Sequence, residues 1–308
     1  MRAIGVLLAS VVVGLAVQSA FADGDVVAVL SSKGELQLTG DDLANDVQVD
    51  KDPATKEIRV LGRNGTTING VAEFRTTGVK SIRAVMNGGD DVLAIAGFRL
   101  KKNLYIDMGA GNNSVDIYHM VVLGRVTVYG GDGDDTVKIE AGSDLGGGGL
   151  VNAGDGANHV AVTDSYVRGP FRILTGSGND LVEVHHCGFT TDASLSIRTG
   201  AGNDTVDYLG DTFQCPVETL TAGGTDTINI MTSQFEKAVG MNTGDDDDNV
   251  EVERSTFDAK FFISGGHGTN NVYLVGINLG PNGSNVTAGG FYHSGHWYIA
   301  WSIVHVFP

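Results

Sequence analysis

The sequence predicts an all-β solenoid: a three-faced, right-handed parallel β-helix of about nine coils of about 22 residues, capped at both ends. Three observations carry this. A glycine-rich turn followed by an alternating apolar strand recurs along the chain, as GGDGDDTVKI at 130–139, TGSGNDLVEV at 175–184 and RTGAGNDTVDY at 198–208. The apolar residues two positions after the Asx of each turn are Leu93, Val115, Val137, Val160, Val182, Val206, Ile228, Val250 and Val272, spaced by 22 residues except for one interval of 23 and one of 24. A fixed period in this range marks stacked supersecondary units. No copy contains a run of helical periodicity, which sets aside helical and leucine-rich solenoids.

In chain order, residues 1–22 carry one charge, Arg2, a long apolar run and the small-residue site Ala20-Phe21-Ala22. This is the pattern of a signal peptide cut after Ala22, so the mature protein is expected to be secreted or held at the cell surface, without a transmembrane segment. Residues 23–80 are less regular and read as an N-terminal β cap, with NDVQV at 45–49 as a decayed copy and Asn64-Gly65 and Asn69-Gly70 as hairpin turns. The repeats occupy 81–282. Each coil holds a strand at the anchor and a second strand before the turn, whose inward column runs Ala84, Ile106, Val128, Val151, Ile173, Ile197, Thr219, Met241 and Ile263. A third column, seven residues after the anchor, reads Leu100, Val122, Asp144, Val167, Phe189, Phe213, Phe235, Phe257 and Leu279. Residues 283–308 read as a closing aromatic strand, with Trp297, Ile299, Trp301 and Ile303 on one face covering the last sheet edge. At strand spacing, nine coils make a rod about 40 Å long.

Composition narrows the function. A formal charge of −17 disfavours nucleic acid and anionic lipid as partners and favours cations. With 45 glycines, five prolines and 42% apolar residues, the chain is packed and turn-rich, unlike a disordered acidic protein. The acids gather at the turns. An Asx stands two residues before every anchor, at Asp91, Asn113, Asp135, Asn158, Asp180, Asp204, Asp226, Asp248 and Asn270, and further acids or amides flank it at Asp132, Asp134, Asp155, Asn179, Asn203 and Asp246. Two readings follow. Carboxylates with turn carbonyls are what Ca²⁺ takes, in a shell of 6 to 8 oxygens. Alternatively the Asx side chains stack coil on coil and bond turn amides with no metal.

Gly130-Gly131-Asp132-Gly133-Asp134-Asp135-Thr136-Val137-Lys138 resembles the nonapeptide G-G-x-G-x-D-x-U-x of the haemolysin-type (repeats-in-toxin) calcium-binding family. That resemblance implies several Ca²⁺ ions between coils, held by Asp135 and by the corresponding Asp180, Asp204, Asp226 and Asp248, whose copies lack the first glycine. Only one copy is strict, and this chain has one motif per coil where the family usually has two. The expected function is a calcium-binding structural or adhesive protein whose partners are calcium and extracellular polysaccharide or other cell-surface components. The rival is a carbohydrate-active enzyme, since parallel β-helices include polysaccharide lyases and epimerases. Its candidate bases would be Arg83, Arg99, Lys101, Lys102, Arg125 and Lys138, but no long loop is available to wall a cleft.

Other constellations are weaker. GAGNNS at 109–114 opens a strand, so it is no dinucleotide site. Cys187 and Cys215 fall one coil and four positions apart, beyond disulfide reach, and are expected to be unpaired inward thiols. His185-His186 beside Cys187 offers no closing set of metal ligands at standard spacing.

Overall fold

The computed structural model describes residues 24–279 and, beyond them, the strands Val286–Gly289, Phe291–His293, His296–Tyr298 and Ser302–Phe307. The leader expected at 1–22, and the aromatic face expected at Trp297, Ile299, Trp301 and Ile303, lie outside the described side chains. The chain winds as a right-handed parallel β-solenoid. Two sheets of 13 strands and one of nine run along it, and each coil contributes one strand to each. Among the described residues no helix is long and apolar enough to cross a membrane.

Alternation builds the walls. In Ser114–Tyr118, Val115 and Ile117 are buried while Ser114, Asp116 and Tyr118 are partly exposed, and the same pattern recurs in Thr136–Glu140, Leu181–His185 and Thr205–Leu209. Strand register keeps like on like, pairing Val115 with Val137, Val182 with Val206 and Val206 with Ile228. The anchor residues from Leu93 to Val250 therefore stack into one continuous dry column, with Val272 partly buried at its end. Thr219, the polar exception in the pre-turn column, is fully buried and shares a 2.6 Å hydrogen bond with the Tyr208 hydroxyl, so two polar groups satisfy each other inside the core.

The third column differs from expectation at one coil. Leu145 stands inside and pairs with Val122 and Val167, while Asp144 is partly exposed and ion-paired to Arg168. The extra residue of the 23-residue coil falls at the corner after Glu140, where Ala141 and Gly142 take positive φ, and the strand beyond is delayed by one position. Burial of an apolar side chain decides where the slack is absorbed. The phenylalanine part of the column is a true stack: Phe189, Phe213, Phe235 and Phe257 lie at centroid spacings of 4.8–5.0 Å. Cys187 and Cys215 are both free and buried, as expected from their register.

The N-terminal segment mixes senses. Asp25–Leu30 runs antiparallel to Glu35–Thr39, and Asp46–Lys51 antiparallel to Ile58–Gly62, while Glu35–Thr39 and Asp46–Lys51 hand over in parallel to the first regular coil. Asn69 and Gly70 take positive φ between the bonded residues Ile68 and Val71. At the other end Ser302–Phe307 pairs in parallel with Asn271–Val275.

Glycine is required at the turn for close approach. A Cβ on Gly131 would overlap the carbonyl oxygen of Gly109 in the preceding coil, and φ there is 120°. The coils are thereby drawn close enough for side chains of one turn to bond the backbone of the next.

Candidate functional site

The sequence-selected turn residues fall into two layers. Asp91, Asn113, Asp135, Asn158, Asp180, Asp204, Asp226 and Asp248 point inward, and none is more than 3% exposed. Asp132, Asp134, Asp155, Asn179, Asn203 and Asp246 lie on the exposed outside of the same turns.

The inner layer is a ladder. The Oδ1 of each Asx accepts the backbone N–H of the Asx one coil earlier, through nine consecutive bonds of 2.8–3.0 Å from Asn45 to Asn270. Asn45, in the decayed copy, is its first rung. One residue earlier in the turn runs a second, interrupted ladder of opposite sense, in which the later coil donates. The Asn112, Asp134 and Ala157 amides give hydrogen bonds to Oδ1 of Asp90, Asn112 and Asp134, and those of Asn203, Thr225 and Thr269 to Asn179, Asn203 and Asp247. Adjacent residues of one turn are thus tied to the coils on either side. Turn amides that sheet pairing leaves unpartnered find acceptors here.

The other side-chain atom of the inner Asx distinguishes asparagine from aspartate. Asn158 Nδ2 lies 2.9, 3.1 and 3.0 Å from the carbonyl oxygens of Gly154, Gly156 and Thr175, and Asn113 Nδ2 lies 2.9 Å from Gly111 O. In the aspartate coils the equivalent atom is Oδ2, and in Asp91, Asp135, Asp180, Asp204, Asp226 and Asp248 it is buried without a hydrogen-bond partner. An ionised Oδ2 in an oxygen-lined, dry corner is costly.

Burial, before any other cause, drives these carboxyls up from the ordinary aspartate range: Asp91 to about 7, and Asp135, Asp180, Asp226 and Asp248 to about 6. Asp204 moves the same way. The amide N–H of the preceding rung opposes the shift without cancelling it, and the next carboxyl in the column adds to it at Asp180 and Asp226.

Buried threonines are a feature that the sequence reading missed. Thr175, Thr199, Thr221 and Thr243 are fully buried and stand five residues before Asp180, Asp204, Asp226 and Asp248, the four successive aspartate rungs. The Thr175 hydroxyl adjoins the Asp180 carboxyl but gives its own proton to Thr199 O at 3.1 Å, as Thr221 does to Thr243 O at 3.0 Å. At Asp180 and Asp226 a protonated carboxyl would have an acceptor in the threonine oxygen, whose own proton goes to the next coil; Thr243 Oγ1 makes no such onward bond. The signal was legible as a threonine repeat in register with the last four aspartates, absent beside the asparagines and beside Asp91 and Asp135, where Met86 and Gly130 stand instead.

A smaller ladder occupies another corner. Cys187 N–H donates to Asp211 Oδ1 at 2.7 Å, Asp211 N–H to Ser233 Oγ and Ser233 N–H to Ser255 Oγ, both at 3.1 Å. Burial raises the Asp211 carboxyl to about 8.

Calcium fits the inner layer less well than these hydrogen bonds do. Every inner Oδ1 from Asp91 to Asn270 is already an amide acceptor, and Asn113, Asn158 and Asn270 aim an N–H donor where an ion would need oxygen. No protein-family model matches the chain, and no curated protein or solved structure does either. The haemolysin-type resemblance thus rests on the turn motif alone.

Among the described residues, two recesses in the walls bear on the sequence-selected side chains. One, at the N-terminal end, has a volume of about 620 Å³ and is lined by Lys33, Glu35, Arg83, Lys102 and Tyr105, with the Arg83 guanidinium 4.2 Å above the Tyr105 ring. Of the sequence-selected cations it gathers Arg83 and Lys102. The other lies on the wall formed by the anchor strands. There Glu183, His185 and Asp207 form a cluster able to hold a metal ion, with one ligand atom from each within 4.8 Å of the others. Sequence spacing offered His185 no closing set because Asp207 comes from the next coil, opposite Glu183.

Proposed function

We propose that the protein is a secreted or cell-surface structural rod whose coils are locked by a metal-free double Asx ladder, with the buried aspartates held as neutral acids. The observation that carries this reading is the equivalence of Asn158 Nδ2 and the aspartate Oδ2 atoms. A place that suits an amide donor among carbonyl oxygens also suits a protonated carboxyl, and suits a carboxylate badly. Two-way bonding at most of the turns makes the stack stiff without any ligand, as a scaffold or adhesive spacer requires.

The calcium-binding rod is tested against this reading by thermal unfolding in EGTA, in Ca²⁺ and in Mg²⁺, with calcium content measured on the same sample. A metal-free ladder gives the same midpoint in all three and no stoichiometric calcium. A midpoint that rises with Ca²⁺ alone by mass action makes the turns a calcium column instead.

A further inference from the structure

Glu183, His185 and Asp207 lie on the outer wall and take no part in the ladder. Glu183 and His185 stand two residues apart on one face of Leu181–His185, and all three side chains are half-buried. Facing like charges on adjacent strands destabilise a sheet. Among the described residues, neither Glu183 nor Asp207 meets a lysine or arginine.

Both carboxylates are instead held by one oxygen each. His159 Nε2 lies 2.7 Å from Glu183 Oε2, and Asn229 Nδ2 donates to Asp207 Oδ1 at 2.7 Å. Each keeps its other oxygen for a further partner, and both sit beside the His185 imidazole. Outer-sphere hydrogen bonds of this kind orient ligating groups at metal centres. A groove of about 310 Å³ opens beside the cluster, lined by His185, Asp207, Leu209, Met231, Glu251 and Glu253.

The geometry points to a binding site for a divalent transition metal of the zinc class, ligated by His185, Glu183 and Asp207, with a remaining coordination position open to the groove. One imidazole nitrogen with two carboxylate oxygens is a donor set for zinc and its neighbours, whereas calcium takes oxygen alone. The cation also relieves the repulsion between the two facing acids. His186, the adjacent histidine, turns the other way, with Nδ1 3.8 Å from Asp164, and is not a ligand.

The test is titration of EDTA-treated protein with Zn²⁺ and with Co²⁺, by calorimetry and visible absorption. One metal ion binds per chain at micromolar or lower Kd, and Co²⁺ gives ligand-field bands of an inner-sphere nitrogen and oxygen set. His185→Ala and the near-isosteric Asp207→Asn abolish the bands and weaken Zn²⁺ binding by more than about 10-fold, and His159→Ala weakens it by about 10-fold through Glu183. His186→Ala leaves both unchanged. Far-UV circular dichroism checks that each variant keeps its sheets. Equal Zn²⁺ affinity in parent and Asp207→Asn protein, absence of binding, or displacement of Zn²⁺ by equimolar Ca²⁺ overturns the assignment.

Discussion

At pH 8 in EGTA, the protein carrying Asp180→Asn, Asp204→Asn, Asp226→Asn and Asp248→Asn unfolds at a higher temperature than its parent. The four aspartates stand in successive coils, each with Oδ2 buried and unpartnered. Asparagine keeps the Oδ1 acceptor for the previous amide and places an N–H donor where Asn158 already has one. The sign follows from linkage. Their folded-state pKa values lie above the unfolded one, so the stability they contribute is complete below about pH 4 and is lost as pH rises through about 6. The substitutions at Asp180, Asp226 and Asp248 each remove roughly 1–3 kcal/mol of that loss, the one at Asp204 acts in the same direction, and the contacts between rungs make the four effects non-additive. At pH 4.5 parent and variant unfold at similar temperatures. Thermal unfolding at the two pH values checks this, and a variant less stable than its parent at pH 8 would remove the neutral acids from the account.

Phe213→Ala costs about 3–5 kcal/mol. The ring is fully buried, stacked 4.9 Å from Phe189 and 4.8 Å from Phe235, with Tyr208 edge-on at 5.8 Å. Strand pairing above and below fixes the coil spacing, so the walls cannot collapse into the void. Solenoid stability resides in nearest-neighbour interfaces, and this truncation weakens two of them at mid-rod. Urea unfolding followed by both far-UV circular dichroism and tyrosine fluorescence is expected to show the transition moved to lower denaturant. A loss under about 1 kcal/mol would place the ring outside the core, as for an ordinary surface residue.

Much of this architecture was legible because each coil repeats the same physical problem. The anchor column, the pre-turn column and the phenylalanine stack could be read from period and alternation, since every inward residue must be apolar or paired. The misplacement of Asp144 shows the limit: a one-residue insertion is visible in the spacing, but where it is absorbed is decided by the burial of Leu145. The turn was legible as Asx-rich, and its two candidate roles were both in view. What spacing could not reveal was direction. The fold places the inner Asx in contact with the earlier coil and the outer Asx with the later one. The Glu183–His185–Asp207 cluster was invisible for a related reason, because its third member comes from the facing register of another coil.

The most direct measurement is the ¹³C carboxyl titration of selectively labelled aspartate between pH 3 and pH 9, in EGTA. The account predicts a separate group of aspartates that titrate near 6 to 7, from Asp91, Asp135, Asp180, Asp226 and Asp248, and one near 8 from Asp211. The group disappears in the fourfold Asp→Asn protein except for Asp91 and Asp135. Titration of every aspartate near or below 4 would mean that the turns hold ionised carboxylates, and would contradict a ladder of neutral acids.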